Sequence, residues 1–296
     1  MTAVLTTTPR AFLRRHLLSH LRATPSPLQG KRVLVTGASS GIGEATAVAV
    51  AATGATVLLV ARREADLRRV ATRVEEAGGT PFVFTCDLTD GPAVDRLVQK
   101  VLAEHGGVDY LVNNAGRSIR RSIALSYDRM HDFERTMAIN YFGPVRLMLG
   151  LLPAMVEQGD GHVVNILTWG VQVKAPKFAA YIASKSALDV FSRIAGRELY
   201  ADGVTFTNVR MSLVRTDMIG PTDAYKRAPA LSPEQAAARV LRALEDRPLT
   251  VSTLAGNVAE VFNFVAPRLA DLAHHRLARR FPDSPAAAKH APAESA

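Results

Sequence analysis

A tyrosine and a lysine lie four residues apart in the segment YIASK, as Tyr181 and Lys185. On a helix this spacing places both side chains on one face. A phenol has an ordinary pKa of about 10, and a neighbouring ammonium lowers it by stabilising the phenolate, at about 1.4 kcal/mol for each unit. The pair is therefore suited to exchanging a proton with a reacting group, although the same spacing also occurs by chance on helix surfaces.

A hydroxyl lies thirteen residues before the tyrosine, at the end of the apolar run GHVVNIL. Open α/β sheets place their chemistry at the carboxyl ends of parallel strands. Thr168 therefore has two interpretations. Its hydroxyl either polarises a substrate carbonyl, or its β-branched side chain only fills a strand. Serine at this position would keep the donor and valine would remove it, so substitution distinguishes the two.

A glycine-rich segment, VLVTGASSGIGEATAVAV, joins an apolar run to a helical pattern. Glycines let the backbone turn tightly and approach a pyrophosphate, while a helix N-terminus supplies free N–H groups and a positive dipole end. In this strand-to-helix context the segment predicts a dinucleotide site. The predicted contacts in it are Gly37, Ser39, Ser40, Gly41, Ile42 and Gly43.

The end of the second apolar run lacks the carboxylate that would bind the ribose 2′-hydroxyl of NAD. Ala61 is followed instead by Arg62 and Arg63. Guanidinium groups favour a 2′-phosphate, so the sequence predicts NADP(H) over NAD(H), with a solvated arginine pair as the alternative. Asp87, at the end of the third run, either accepts from the adenine amino group or caps the next helix.

Strand-like and helix-like segments alternate from residue 31 onward, which indicates parallel βαβ units with right-handed crossovers. We predict an α/β fold with a doubly wound parallel sheet of Rossmann type, in three α/β/α layers and one domain. The predicted divisions are a basic amphipathic extension over 1–29, the domain over 30–256, and a helical extension with a frayed tail over 257–296. Long helices are expected over about 126–157 and 181–200, and Ser232 begins another with a capping box.

Composition narrows the function classes. The chain has 296 residues, 48% hydrophobic content and a formal net charge of +9. A basic balance suits nucleic acid, anionic lipid or an anionic small molecule, but no zinc-type Cys/His spacing or basic-aromatic run is present, so neither a metal site nor nucleic-acid binding is predicted. Cys86 is the only cysteine, which excludes an internal disulfide. Apolar runs such as LMLGLLPAMV, interrupted by Pro153, are predicted to be too short to span a bilayer. A cytoplasmic protein is the expectation.

The motifs TGxxxGxG, NNAG, an isolated asparagine, a strand-end hydroxyl and YxxxK occur in this order, and the chain resembles the short-chain dehydrogenase/reductase family over about residues 30–256. The resemblance implies that Tyr181 is the general acid during carbonyl reduction and the base in reverse. It implies that Lys185 lowers the pKa of the phenol and holds the nicotinamide ribose, and that Asn140 supports a proton-supplying water chain. Thr168 takes the place of the usual serine. Further predicted cofactor contacts are Tyr181, Lys185, Leu88, Asn114, Ala115, Gly116, Val214 and Thr216.

Three segments, NNAGRSIRRS, GVQVKAPKFAAYIASKSALDVFSR and MSLVRTDMIGPT, resemble the branch of mycolate-type and fatty acyl-CoA reductases. That implies long-chain acyl, β-keto-acyl or aldehyde substrates, although MSLVRT departs from the Pro-Gly of many members. Arg117, Arg120 and Arg121 could meet a carboxylate, phosphate or CoA group, or form a solvated basic loop. The predicted substrate contacts are Arg117, Trp169, Gly170, Phe178, Met211, Leu213 and Met218.

Both ends carry basic amphipathic segments, RAFLRRHLLSHLR and FVAPRLADLAHHRLARRF. Each could lie on an anionic membrane, cover a core edge or form a subunit interface, and the first also has the composition of a transit peptide. The family resemblance implies a homodimer or homotetramer. We therefore expect an NADP(H)-dependent reductase of a ketone or aldehyde on a hydrophobic substrate. The alternatives are a dehydrogenase of a compact secondary alcohol such as a steroid, and a non-catalytic nucleotide-binding or membrane-associated scaffold.

Overall fold

A seven-stranded parallel sheet, in the order β3-β2-β1-β4-β5-β6-β7, organises the chain. The computed structural model describes residues 25–219, residues 228–280 and Asp283. The strands are β1 (Arg32–Thr36), β2 (Thr56–Ala61), β3 (Thr80–Thr85), β4 (Tyr110–Asn113), β5 (Gly161–Thr168), β6 (Val204–Met211) and β7 (Thr250–Val251). The chain runs outward from β1 to β3, returns to β4 beside β1, and runs outward again. This reversal is the doubly wound topology that the alternating pattern predicts, and it opens a crevice at the carboxyl ends of β1 and β4.

Helices cover both faces of the sheet. They are α1 (Gly41–Ala51), α2 (Glu64–Glu76), α3 (Gly91–His105), α4 (Met130–Glu157), α5 (Gly170–Val173), α6 (Ala179–Glu198), α7 (Pro233–Asp246), α8 (Leu254–Val265) and α9 (Pro267–Arg280). Along β1, Val33 and Val35 belong to the core that includes α1, α2 and α7, while Leu34 belongs to the core that includes α3, α4 and α6. Burial on both faces explains the continuous apolar strands, and the three-layer α/β/α prediction is confirmed.

Three buried asparagines cross the sheet in register, as Asn113 on β4, Asn165 on β5 and Asn208 on β6. Asn113 Nδ2 donates to Asn165 Oδ1 at 2.9 Å, and Asn165 Nδ2 donates to Asn208 Oδ1 at 3.3 Å. Asn208 Oδ1 also accepts from Ser192 Oγ on α6 at 2.8 Å. A buried amide without partners is costly, so this ladder fixes the strand register and ties α6 to the sheet.

Helix α4 corrects one prediction. It begins at Met130 rather than near residue 126, and Pro153 lies inside it without ending it. Among the described residues it is the one helix whose length and composition would allow it to cross a membrane, contrary to the prediction that this region is too short and too broken. In the folded chain, 44% of the most apolar stretch of this helix is buried. Leu151, Leu152 and Met155 pack into the core around the proline, which is why the helix continues.

Smaller boundary differences appear near the carboxyl end. The capping box that begins α7 is present, with Ser232 Oγ accepting from Gln235 N at 3.2 Å. The predicted domain limit at residue 256 falls inside α8. The segment RAFLRRHLLSHLR lies outside the described residues. So does the predicted frayed tail after Arg280, of which only Asp283 is described.

Candidate active site

The glycine-rich turn brings the backbone of α1 close to β1 and to the loop after β4. Gly37 and Gly41 adopt positive φ angles of 64° and 56°, which side chains rarely allow. A Cβ at Gly43 would lie 2.1 Å from Gly37 O and 2.5 Å from Asn114 Nδ2. The Ser40 side chain makes no capping hydrogen bond, so the first N–H groups of α1 face the cavity without that partner. This cradle fits the pyrophosphate of a dinucleotide.

A threonine and an asparagine join β1 to β4 beside this turn. Thr36 Oγ1 accepts from Asn114 N at 2.9 Å and from Ala115 N at 3.1 Å. Asn114 Nδ2 returns a hydrogen bond to Thr36 O at 2.9 Å. These bonds join the NNAG loop to the glycine turn on the other side of the crevice.

The carboxyl end of β2 is rich in positive charge. Arg62 and Arg63 line the cavity next to Ala61 and are largely exposed. Arg62 Nη1 lies 3.9 Å from Asp87 Oδ2, while Arg63 pairs with Asp66 on α2. With no carboxylate on β2 itself, this end suits a phosphate group better than a ribose hydroxyl.

Asp87 does not cap a helix, which settles one of its two interpretations. Its Oδ1 accepts from Thr89 N at 2.9 Å and from Thr89 Oγ1 at 2.8 Å. The cap of α3 is Asp90, whose Oδ1 accepts from Ala93 N at 3.2 Å. Asp87 lines the cavity instead, together with the buried Cys86. Burial, with the charges of Asp87 and Asp90, raises the pKa of the Cys86 thiol to about 11.

The YIASK segment occupies the first turns of α6. Tyr181 and Lys185 both line the cavity, and Phe178 packs edge-on to the tyrosine ring with centroids 6.4 Å apart. Lys185 is buried, and its Nζ donates to Ile166 O on β5 at 2.8 Å. Burial lowers the pKa of Lys185 to about 8. The lysine is therefore still mostly charged at neutral pH, as a group that stabilises a phenolate must be.

Thr168 ends β5 and also lines the cavity. Its Oγ1 accepts a hydrogen bond from Gly170 N at 3.1 Å. This hydrogen bond uses a lone pair of the hydroxyl and not its hydrogen, so the hydroxyl can still donate to another group. The local geometry thus suits a donor directed at a carbonyl oxygen.

Asn140 lies in a π-helical stretch, Ala138–Phe142, inside α4. Its side chain is buried: Oδ1 accepts from Arg117 N at 2.8 Å, and Nδ2 donates to Arg117 O and Ser184 Oγ, both at 2.9 Å. A Cβ at Gly116 would lie 2.9 Å from Asn140 Oδ1 and 3.2 Å from Lys185 Nζ. The amide thus holds the NNAG loop directly over the lysine, and single-turn π segments often mark such functional positions.

A cavity of about 1430 Å³ joins the glycine turn to the YIASK segment. All of the predicted site residues line it except Gly43, which packs against Gly37 O, and Asn140. At the far end the lining is apolar, and it includes Trp169, Gly170, Phe178, Met211, Leu213 and Met218. Within the described ranges, no group of three or more His, Cys, Asp or Glu side chains could hold a metal ion.

The arginines after β4 divide between two environments. Arg117 and Arg120 line the cavity. Arg121 does not, because its Nε lies 3.3 Å from the buried carboxylate of Asp132 and its backbone N donates to Lys177 O. Arg135, which pairs with the same carboxylate, lines the cavity and was missed. Its position near the start of α4 carries no motif from which the sequence could show this.

Comparison with known proteins agrees with this geometry. The model of the short chain dehydrogenase family matches residues 31–226. A fatty acyl-CoA reductase of Acinetobacter baylyi is 47% identical over 260 residues, covering 88% of each chain. A fatty acyl-CoA reductase of Mycobacterium tuberculosis is 45% identical over 253 residues, covering 85% of this chain and 86% of the relative.

A solved structure extends the comparison to the fold. The 3-oxoacyl (acyl-carrier-protein) reductase of Agrobacterium tumefaciens, with NADP bound, superposes with a TM-score of 0.69 at 28% identity, covering 76% of this chain and 92% of that one. A nicotinamide cofactor and oxidoreductase activity follow from these similarities and from the cradle described above. This chain belongs to the short-chain dehydrogenase family.

Proposed function

We propose that this chain is an NADP(H)-dependent reductase that transfers a hydride to the carbonyl carbon of a long-chain, acyl-type substrate. A ketone or aldehyde then gives the alcohol, whereas a thioester gives a hemithioacetal that releases the thiol and leaves the aldehyde. One observation carries the proposal: Thr168, Tyr181 and Lys185 line the same cavity as the glycine turn of α1. A protein that only bound a nucleotide would have no use for a buried lysine behind a cavity-lining phenol.

Each of the three side chains has a chemical task. Thr168 Oγ1, whose acceptor position is occupied by Gly170 N, donates to the carbonyl oxygen. Tyr181 supplies the proton to that oxygen as negative charge develops on it. Lys185 stabilises the resulting phenolate. The bound cofactor would supply the hydride in reduction.

Asn140 has a positioning task in this proposal. Its amide fixes the backbone of Arg117 and so holds the NNAG loop at its distance from Lys185. Proton resupply toward Lys185 through water remains a prediction. NADPH preference is supported by Arg62 and Arg63 at the end of β2, and by the NADP in the structural relative.

A long-chain acyl substrate is supported by the lining of the far end. Met211, Leu213 and Met218 supply apolar surface for an alkyl chain. Arg117 and Arg120 supply positive charge beside it, which suits the phosphates of a CoA or carrier-protein thioester. The two relatives at 45–47% identity are named fatty acyl-CoA reductases.

The test is NADPH oxidation by the purified chain over a panel of carbonyls: fatty acyl-CoA and fatty aldehydes of increasing length, and steroid ketones. We expect turnover that grows with chain length and is lost in Tyr181→Phe, which retains NADPH binding by fluorescence titration. Tyr141→Phe, a tyrosine outside the cavity lining, is the matched control. Turnover limited to steroids would overturn the substrate class, and full activity in Tyr181→Phe would overturn the mechanism.

We also propose a homo-oligomer formed through α4 and α6. These helices expose Phe142, Leu149, Val190 and Ile194, and apolar helix faces of this kind commonly pack against a second subunit. Light scattering during size-exclusion chromatography measures the mass directly. A cytoplasmic location remains a prediction.

A further inference from the structure

The two C-terminal helices turn apolar side chains away from the protein. On α8, Leu254, Val258, Val261 and Val265 are all exposed, and their spacing places them on one side of the helix. Phe264, next to this stripe, is 87% exposed. The outer face, as we call it, comprises these residues with Phe262 on α8 and Leu269, Leu272 and Leu277 on α9. Large contiguous apolar patches on a protein surface mark an interaction site.

The opposite side of α8 is polar and is fixed to the protein. Gln172 on α5 is buried, and its Nε2 donates to Asn257 Oδ1 at 2.9 Å and to Glu260 Oε2 at 2.8 Å. Asn263 Nδ2 donates back to Gln172 O at 2.9 Å. These bonds determine which side of α8 meets the domain. The helix therefore presents its apolar side outward through specific contacts.

Charge identifies the kind of surface that the outer face fits. Arg268, Arg276 and Arg279 are exposed on α9, where Asp271 is the single acidic residue of the helix. Apolar side chains flanked by arginines bind at the boundary between acyl chains and anionic headgroups. A two-fold contact centred on α9 would bring the arginines of one copy near those of the other, which disfavours a second copy there.

Helix length determines how the outer face would meet a bilayer. Helix α8 has 12 residues and α9 has 14. At about 1.5 Å per residue they are about 18 Å and 21 Å long, shorter than the hydrocarbon core of about 30 Å. They cannot span it, so they would lie in the plane of its surface.

The helix that carries most of the outer face packs against a helix that lines the cavity. Gly170 and Val173 of α5, the helix to which α8 is bonded, line that cavity. Beyond α9, Asp283 accepts from Ser122 N at 2.9 Å and lies 3.4 Å from Lys177 Nζ, on the loop that leads to Phe178. We propose that the outer face docks on an anionic lipid surface and so brings the substrate end of the cavity to the membrane. Docking itself does not depend on the reaction. The further inference that docking delivers a water-insoluble acyl substrate to the cavity rests on the proposed function.

The experiment is co-sedimentation with vesicles of phosphatidylcholine alone or with about 30% phosphatidylglycerol, using the full chain. We expect at least tenfold tighter binding to the anionic vesicles. Val258→Ser with Val261→Ser should weaken that binding at least tenfold, because both side chains would otherwise enter the acyl boundary. Arg276→Glu with Arg279→Glu should remove the preference for phosphatidylglycerol. Tyr200→Ser with Leu249→Ser, two exposed side chains that lie outside the outer face and outside α4 and α6, is the matched control and should bind as the wild type does.

Three outcomes would overturn the proposal: no anionic preference in the wild type, undiminished binding by the α8 variant, or an equal loss in the control variant at Tyr200 and Leu249. A fall in oligomer mass in the α8 variant, with vesicle binding unchanged, would assign the outer face to a second copy. NADPH oxidation with a short, water-soluble aldehyde should be the same in all variants. Absence of NADPH oxidation over the whole carbonyl panel, together with normal docking, would overturn the proposed function and leave the docking intact.

Discussion

The two halves of the sheet build their parts of the cavity by different means. Around β1 the contacts come from backbone and from glycines such as Gly37 and Gly41, which leave room for a ligand. Around β5 and α6 they come from side chains, among them Tyr181 and Lys185, supported by the asparagine ladder across β4, β5 and β6. We therefore expect added side-chain volume in the first half to impair cofactor binding. Removal of a polar side chain in the second half should instead impair turnover.

The largest expected effect tests the first half. Gly43→Ala should abolish measurable NADPH binding, because its Cβ would lie 2.1 Å from Gly37 O, a backbone atom that cannot move away without opening the turn. We expect a loss of about 4 kcal/mol or more, on the order of 10³-fold in Kd. Fluorescence titration with NADPH measures it.

Gly196→Ala is the control for that change. Gly196 lies on α6 in the other half, and its Cβ would lie 3.2 Å from the ring of Phe206, a side-chain contact rather than a backbone one. Circular dichroism of both variants shows whether the fold is kept. NADPH binding by Gly43→Ala within threefold of wild type would mean that the turn is not the nucleotide cradle.

The next effect tests the second half at the strand end. Thr168→Val keeps the volume and removes the hydroxyl, and we expect a loss in kcat/KM on the order of 10²-fold. Thr168→Ser keeps the donor and should retain turnover. Steady-state NADPH oxidation with a fatty aldehyde measures both. Normal turnover by the valine variant would reduce Thr168 to a strand-filling residue.

A third prediction separates stability from activity at Lys185. Lys185→Met should lose turnover yet raise the free energy of unfolding at pH 7 by about 1–3 kcal/mol, because it removes a buried charge. The pKa of Lys185 is about 8 in the folded chain, against 10.5 ordinarily. Below pH 8 the Lys185 ammonium is charged in both the folded and the unfolded chain, so the folded chain bears the full free-energy cost of burying that charge. Between pH 8 and 10.5 the folded state releases its proton first, so wild-type stability rises with pH there.

Urea unfolding of wild type and Lys185→Met at pH 7 and pH 10, without nucleotide, tests this sign. The difference in free energy of unfolding between wild type and Lys185→Met should be smaller at pH 10 than at pH 7. A variant less stable than wild type at pH 7 would show that the hydrogen bond to Ile166 O outweighs the cost of burying the charge.

The smallest effect concerns the exposed arginines. Arg62→Ala should weaken NADPH binding about tenfold and leave NADH binding unchanged, since only NADPH carries the 2′-phosphate. Arg68→Ala on α2, whose guanidinium pairs with Glu64, is the control. Equal losses for both cofactors would assign Arg62 to its ion pair with Asp87 rather than to the ribose.

The parts of the fold that the sequence predicts are those set by local pattern. Continuous apolar runs indicate strands buried on both faces, and the glycine turn and the capping box at Ser232 are short-range signals. Pro153 lies inside a helix that the sequence also predicts to continue past it, over about 126–157. A proline removes one helical hydrogen bond, but the apolar residues around it are buried, and tertiary packing outweighs the local cost.

Exact helix boundaries and long-range contacts account for the rest. Asp87 and Asp90 are both plausible caps for α3. The helix begins at Gly91, so Asp90 bonds to Ala93 N in the first turn while Asp87 bonds to Thr89 before the helix. Arg121 and Arg135 differ in the same way, because both pair with the buried Asp132 and only Arg135 also reaches the cavity. Such choices depend on which element lies opposite, and one sequence contains no signal for that.

The buried thiol of Cys86 has a practical consequence. With a pKa of about 11, fewer than about one thiol in a thousand is a thiolate at pH 7.5. Since the chain has no other cysteine, maleimide dyes should label the natural protein very slowly. A cysteine introduced at Val258 could then carry an environment-sensitive fluorophore without background, and its emission would report directly whether α8 enters lipid.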